Sequence, residues 1–317
     1  MRVAVTGATG FIGRHLVRAL ASRGVDVRAV VRPRREPARF DGVHVITSTL
    51  ETAALSKAFD CIDVVVNLAG VVSALRDEDY SAVNVSGAHA VAEAARDAGA
   101  RVVHVSSLAA AGPAPADRPR RESDPEAPLT AYGRSKLAGE HAVRAVPRLA
   151  FTILRPGAVY GPGDRAALPL FRAARRGIAP LAGRPDAAYT FIHVGDVVRA
   201  IEAAAERPAG GVFFLGYREP VTASGLLLAI ETAVGRHVRV IRVPSAALRA
   251  GAALGAVAGR VIGRPVLLNP ERASEMLAEG FVCSVDAARE GLGFEAGIDL
   301  RTGIAGTAEW YRKNGWL

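Results

Sequence analysis

The first sixteen residues constrain this chain more than any other stretch. Val3-Ala4-Val5 is a short apolar run that opens into Thr6-Gly7-Ala8-Thr9-Gly10-Phe11-Ile12-Gly13, with Ile12, Leu16, Val17 and Leu20 then falling on one helical face. This is the pattern of strand, tight turn and helix. Gly7 permits the sharp turn, Gly10 lets a phosphate approach the backbone, and Gly13 lets the helix pack closely on the strand. The free N–H groups and positive dipole end of such a helix suit a pyrophosphate. The spacing is GxxGxxG rather than the more frequent GxGxxG, so the flanking strand and helix carry much of the argument.

Apolar strands and helical stretches then alternate. Val25–Arg32 reads as a second strand ending before Pro33, and Val43–Ile46 as a third. A helix over Ala53–Phe59 precedes a fourth strand, Ile62–Gly70, and an alanine-rich helix over Ala82–Ala98 precedes a fifth, Arg101–Ser107. Thr130–Val146 is helical and Phe151–Leu154 is a sixth strand. Near-continuous apolar strands separated by helices predict an α/β fold with a doubly wound parallel sheet buried on both faces. Gly112–Pro128, rich in proline and charge, reads as a surface loop over the site. Beyond residue 165 the pattern is less regular. Helices are expected near Ala166–Arg176, Asp196–Ala205 and Ala223–Val234, and strands at Tyr189–His193, Val212–Leu215 and Val238–Val243.

The end of the second strand bears on the ligand. About 20 residues past the glycines, a dinucleotide fold that takes NAD places an acidic residue on the ribose hydroxyls. Here Val31 is followed by Arg32, with Arg34 and Arg35 close behind and no carboxylate within reach. Guanidinium groups match a phosphate bidentately, so NADP(H) is expected over NAD(H), with Arg32 and Arg35 on the extra phosphate.

Composition excludes several classes. The net charge is +9, but only Lys57, Lys136 and Lys313 are lysines, and the many arginines are scattered apart from Arg32-Pro33-Arg34-Arg35. No basic helix interleaved with aromatics appears, so no nucleic-acid role is expected. Cys61 and Cys283 form neither a CxxC nor a cluster at metal-ligand spacing, so no disulfide framework and no metal is expected. The N-terminus reads as a core strand and no charge-free spanning segment is seen, so a cytoplasmic chain without a transmembrane segment is expected.

The chemistry centres on Tyr132-Gly133-Arg134-Ser135-Lys136. Residues four apart share a helix face, which sets a phenol beside an ammonium. A free phenol has a pKa of about 10. A neighbouring cation is expected to lower it and make proton exchange with an alcohol or ketone feasible. The lysine also offers donors to a ribose. Ser106 and Ser107 lie at the C-terminal end of the fifth strand, where ligands of open α/β sheets sit.

These motifs together resemble the extended short-chain dehydrogenase/reductase family, which includes the NAD-dependent epimerases and dehydratases. The resemblance rests on the glycine turn, Asn67-Leu68-Ala69-Gly70, Ser106-Ser107, Tyr132 with Lys136, Arg155-Pro156-Gly157-Ala158-Val159-Tyr160-Gly161-Pro162-Gly163 and Phe191-Ile192-His193-Val194-Gly195-Asp196-Val197. It implies a Rossmann-type dinucleotide-binding domain over 1–165, with 189–215 returning to it. A smaller substrate-binding lobe would take 166–188 and 216–317. It implies Tyr132 as catalytic acid/base, Lys136 as its partner and ribose ligand, and Ser107, with Ser106 as the alternative, on the substrate oxygen. Cofactor contacts are then expected from Gly7, Thr9, Gly10, Phe11, Ile12, Gly13, Arg32, Arg35, Leu50, Leu68, Ala69, Gly70, Ser106, Tyr132, Lys136, Pro156, Gly157 and Val159. Asn84 matches a position that is structural or part of a proton relay in relatives. A homodimer through the helices at Ala82–Ala98 and Thr130–Val146 is also implied.

The chain departs from its relatives in two places. Ser48-Thr49-Leu50 replaces the Gly-Asp-Leu that many carry after the third strand, and Leu154-Arg155-Pro156-Gly157 lacks the asparagine common in nucleotide-sugar enzymes. Its motif style is nearer the 3β-hydroxysteroid dehydrogenase and dihydroflavonol reductase branches. The expected substrate is therefore a small, relatively apolar carbonyl compound or alcohol, with a nucleotide-sugar epimerase or dehydratase as the alternative and a non-catalytic NADP-binding protein as a further one. Ser245–Gly263 is apolar, with Gly251, Gly255, Gly259 and Gly263 spaced by four. It is expected to pack tightly within the C-terminal lobe; the other reading is a lipid-facing or substrate-entry helix.

Overall fold

A computed structural model describes residues 1–33, 40–207, 209–266 and 268–317. In chain order, β1 (Arg2–Thr6), α1 (Phe11–Ser22), β2 (Asp26–Val31), β3 (His44–Thr47), α2 (Thr52–Ala58) and β4 (Val64–Asn67) form the first half of the sheet. Next, α3 (Asp77–Tyr80) runs through a π-helical segment, Ser81–Gly87, into α4 (Ala88–Asp97). Then come β5 (Arg101–Val105), α5 (Ala131–Arg144), β6 (Phe151–Pro156), β7 (Ala158–Tyr160), α6 (Leu168–Arg175), β8 (Ile178–Ala182), β9 (Ala188–Tyr189), β10 (Phe191–His193), α7 (Val194–Glu206) and β11 (Gly211–Leu215). The chain ends with β12 (Val221–Thr222), α8 (Ala223–Val234), β13 (Arg239–Val243), α9 (Ser245–Ile262), α10 (Pro270–Leu277), β14 (Gly280–Phe281) and α11 (Leu300–Lys313).

The main sheet has seven strands in the order β11-β6-β5-β4-β1-β2-β3, every neighbouring pair parallel. The order reverses between β1 and β4, and this is the switch point where an α/β sheet opens a crevice beyond its strand ends. Side-chain alternation explains why both faces are covered. Val64 and Val66 of β4 join Val3, Val5, Val103 and Val105 in a core with α1 and α7. Val65 joins Ala4 and Val102 in a second core with α2 and α4. The predicted α/β doubly wound sheet is thus present.

A buried ion pair fastens α5 to this sheet. Arg155 of β6 is 1% exposed and donates to both carboxylate oxygens of Glu140 on α5, at 2.9 and 2.7 Å, and to Glu126 at 3.0 Å. Its guanidinium also stands over Phe214, 5.6 Å from the ring centre. The sequence reading marked Arg155 only as part of a loop motif.

Smaller sheets build the C-terminal part: β7 with β10, β12 with β9 and β14, and β8 with β13. Around them Tyr160, Phe171, Ile230, Ile304 and Tyr311 form an aromatic-rich core. Trp310 and Trp316 pack on it with ring centres 4.9 Å apart and dock the C-terminus. The stretch Tyr189–His193 is two short strands rather than one, because Thr190 turns its amide and hydroxyl to the 281–283 segment. Gly112–Pro128 is less free than its composition suggests, since Ala114 and Arg120 exchange backbone hydrogen bonds with Gly280, Val282 and Ser284.

Helix α9 corrects an expectation. Its glycine face does pack closely: a side chain at Gly255 would stand 2.2 Å from the Leu268 carbonyl oxygen. Leu248, Ala252 and Gly259 are buried, but only 17% of the helix is. The packing is one-sided: among the described residues Leu75, Ala182, Val243, Arg264, Val266, Leu268 and α10 lie against its small-residue face.

Removing Arg155 leaves the buried Glu140 carboxylate with only the longer contact to Arg144, at 3.5 Å, and costs about 3–5 kcal/mol. Arg155→Met is expected to lower urea-unfolding stability by that amount, while Arg155→Met with Glu140→Met recovers most of it.

Candidate active site

The C-terminal ends of β1, β4, β5 and β6 bring the sequence-marked residues to one edge of the sheet. Gly7 sits at φ +65°, a left-handed backbone that favours glycine, and a side chain there would stand 2.5 Å from the Leu68 carbonyl oxygen. A side chain at Gly13 would lie 2.3 Å from the Gly7 oxygen. The two glycines therefore let the β1 turn, α1 and the Leu68–Gly70 turn close on one another. Gly10 is exposed at the start of α1, with no side chain capping its amides and no acid in its first turn. That cradle fits the pyrophosphate of a dinucleotide. Thr9, Phe11 and Ile12 are half-buried around it.

Several other expected contacts are already committed within the fold. Leu50 packs on Gly87 of the π-helical segment. The Gly157 amide donates to the Leu215 oxygen, Pro156 is buried, and Val159 packs in the core beside α1 and α7. Arg32 is exposed one residue past β2. Arg34 and Arg35 lie outside the described residues.

Asn67 ties the strand ends together. The Thr6 hydroxyl donates to its Oδ1 at 2.6 Å, and its amide lies 3.1 Å from His104 Nδ1. His104 is buried, and desolvation with nearby Lys136 holds its pKa well below the usual histidine value. It is therefore neutral, accepting at Nδ1. The buried Ser106 hydroxyl has no partner among the described residues. A buried orphan hydroxyl at this edge is a donor for a ligand group.

Helix α5 carries Tyr132 and Lys136, and its glycines set how close it comes. A side chain at Gly133 would stand 2.4 Å from the Ala109 oxygen, in the 3₁₀ turn that Ser107 caps. A side chain at Gly139 would stand 2.1 Å from the Asn84 oxygen. The first contact brings the Ser107 turn to Tyr132. The second brings α5 onto the π-helical segment, where buried Asn84 donates to Val71 O and Ser135 Oγ, both at 2.9 Å, and accepts from Val71 N at 2.8 Å. Ser135 Oγ in turn donates to Tyr132 O at 2.7 Å. Asn84 thus joins the turn after β4 to α5, which is the structural alternative left open by the sequence. The side chains of Asp164 and His193 are likewise spent on backbone amides at the starts of α6 and α7.

The electrostatics differ from the sequence expectation. Lys136 is buried with Nζ 2.8 Å from the Val105 oxygen, and burial pulls its pKa down to about 8 against the pull of Glu140. Half-buried Tyr132 is not lowered. Burial pushes its phenol up to about 12, with Ser107 acting against the rise and Glu275 and Tyr80 adding to it. Desolvation of the phenolate sets this rise, while the Lys136 ammonium is turned to the Val105 carbonyl. At neutral pH the phenol keeps its proton.

Two residues near the site escaped the sequence reading. Tyr80 stands 6.4 Å from Tyr132, ring centre to ring centre, with no local signal to mark it. Glu271 of α10 accepts from the Ala131 amide at the start of α5, where an acid complements the dipole. Asn269-Pro270-Glu271 was a readable helix start, with an N-cap asparagine and proline at the first helical position. Among the described residues no group of three or more histidine, cysteine or acidic side chains is placed to hold a metal.

Because Lys136 titrates at about 8 in the fold and at 10.5 in an ordinary setting, the unfolded chain binds more protons between those values. The contribution of this residue to stability therefore rises as pH climbs from about 8 towards 10.5. The difference in unfolding free energy between wild type and Lys136→Met should follow that rise; a flat difference overturns it.

Residues 3–216 match the model of the NAD dependent epimerase/dehydratase family. Over 323 aligned residues the chain is 37% identical to a ceramide reductase of Caulobacter vibrioides, covering 99% of this chain and 96% of the relative. It is 32% identical over 307 residues to a 4-hydroxy-2-methyl-3-oxo-4-farnesyl-3,4-dihydroquinoline-1-oxide ketoreductase of Stigmatella aurantiaca, covering 87% and 91%. Among solved structures, MoeE5 in complex with UDP-glucuronic acid and NAD superposes with a TM-score of 0.77 at 29% identity, covering 99% of this chain and 100% of that one. The family is NAD dependent by its description, and both relatives are reductases by name. The chain belongs to the NAD-dependent epimerase/dehydratase family of extended short-chain dehydrogenases/reductases.

Proposed function

We propose that this enzyme is an NADPH-dependent ketoreductase that reduces the carbonyl of a relatively apolar, lipid-like small molecule. The observation that carries the reading is the seating of α5 at Gly133 against the turn that Ser107 caps, which sets Tyr132, four residues before Lys136, beside Ser107 at the strand ends. Whole-length similarity to a ceramide reductase, and to a ketoreductase named for a farnesylated substrate, supports both the direction and the apolar substrate.

The residues fit a dinucleotide. Gly7, Gly10 and Gly13 cradle the pyrophosphate, Ser106 offers its free hydroxyl, and Lys136 holds the ribose beside the nicotinamide. Arg32 takes the adenosine phosphate that distinguishes NADPH. When bound, the cofactor supplies a hydride to the carbonyl carbon. Ser107 donates a hydrogen bond to the carbonyl oxygen and orients it. As the C=O π bond opens, that oxygen takes the phenolic proton of Tyr132, giving the alcohol and a tyrosinate. Buried tyrosinate is costly, so the nearby ammonium of Lys136 stabilises it until solvent restores the proton. Asn84 and Glu271 keep α5 in place during this exchange.

The sugar-nucleotide reading keeps one supporting observation, the overlay on a structure holding UDP-glucuronic acid and NAD. It predicts protein that purifies with tightly held cofactor and is stabilised by uridine diphosphate.

A panel of long-chain and cyclic ketones with NADPH, followed by loss of its absorbance, tests the main reading. Tyr132→Phe should lower kcat by about 10²–10⁴-fold with NADPH binding nearly intact; unchanged turnover sinks the assignment. Arg32→Asp should weaken NADPH binding by about tenfold or more and leave NADH little affected. An unaltered preference would show that Arg32 does not read the phosphate.

A further inference from the structure

Helix α9 presents an apolar face that no described residue covers. Leu254, Val257, Val261 and Ile262 are 72%, 57%, 82% and 65% exposed. On a helix these residues, with Ala247, Ala250 and Ala258, form one continuous stripe. The opposite face, through Leu248, Ala252, Gly255 and Gly259, is seated on the protein. Leu75, 39% exposed, lies against Gly259 on that seated face. Contiguous exposed apolar surface of this kind marks an interaction site.

The charge around it is one-sided. From Gly235 to Pro270 there are six arginines, at 236, 239, 242, 249, 260 and 264, and no aspartate, glutamate or lysine. Among the described residues none of the six forms an ion pair. Arg249 and Arg260 stand about three turns apart and therefore on the same flank of the stripe.

We propose that this face docks on an anionic lipid bilayer, with α9 lying in the interface plane. An apolar stripe flanked by guanidinium groups suits acyl chains below and acidic headgroups beside it. The helix does not cross the bilayer, because only ten uncharged residues separate Arg249 from Arg260 and its inner face is committed to the protein. A second copy of this chain is a poorer occupant. An isologous contact would set the flanking arginines Arg249 and Arg260 of the two copies against one another. Docking also places the site at the membrane. Leu75 follows the turn whose Val71 is held by Asn84, and α10, which follows α9, reaches the start of α5 through Glu271.

The test is flotation of the full-length protein with phosphatidylcholine vesicles, with and without phosphatidylglycerol. It reads no turnover, so it stands or falls separately from the reductase reading. Wild type should float with the anionic vesicles only, and less in high salt. Arg249→Gln with Arg260→Gln should weaken partition on the order of thirtyfold. Val257→Ser with Val261→Ser should weaken it about tenfold or more. Both variants should keep the wild-type melting temperature. The proposal is overturned if wild type ignores anionic vesicles, or if both variants bind as it does. It is also overturned if the valine variant instead converts a dimer to a monomer with no vesicle binding by wild type, which would make the face a contact between copies.

Discussion

The bidentate pair between Arg155 and Glu140 is the contact on which the site depends. It joins the last inner strand of the sheet to α5, one turn below Lys136, in a place almost free of water. Buried charges of this kind add little net stability, but they admit few arrangements, because each misplacement leaves a desolvated charge unpaired. The pair therefore pins α5 against sliding. The close backbone contacts at Gly133 and Gly139 set its depth, and Asn84 and Glu271 secure it from two further sides. Tyr132 and Lys136 inherit their positions from this frame rather than from each other.

That frame also explains the titration of the two residues. Charge pairing alone would lower the phenol, but burial acts on both groups and disfavours both charged forms. The phenol is pushed up and the ammonium down, to about 12 and about 8. A fold built this way holds a proton donor at neutral pH. This suits reduction of a carbonyl, where the oxygen needs a proton only as the hydride arrives.

The outer lobe solves a different problem. Most apolar helices here bury a stripe against the sheet, as α7 does with Val197, Val198 and Ile201. Helix α9 buries Leu248, Ala252 and Gly259 and leaves Leu254, Val257, Val261 and Ile262 outside, where core packing would cover them. With Arg249 and Arg260 on its flank, that exposed stripe suits a lipid surface.

Much of the fold was legible in the residues. Valine-rich strands, glycines three apart and period-3.6 helices are local signals, and each element of the seven-stranded sheet follows from them. The pairing of Tyr132 with Lys136 on α5 was legible too, because a tyrosine and lysine four apart share a helix face wherever that helix sits. Other features depend on residues distant in the chain. Arg155 found Glu140 through the β5–β6 register, Glu271 reached α5 across 140 residues, and the phenol's rise came from the desolvation that packing imposes. The exposed side of α9 was equally hidden: sequence fixes which residues share a helical stripe, but only the packed structure decides which stripe is covered.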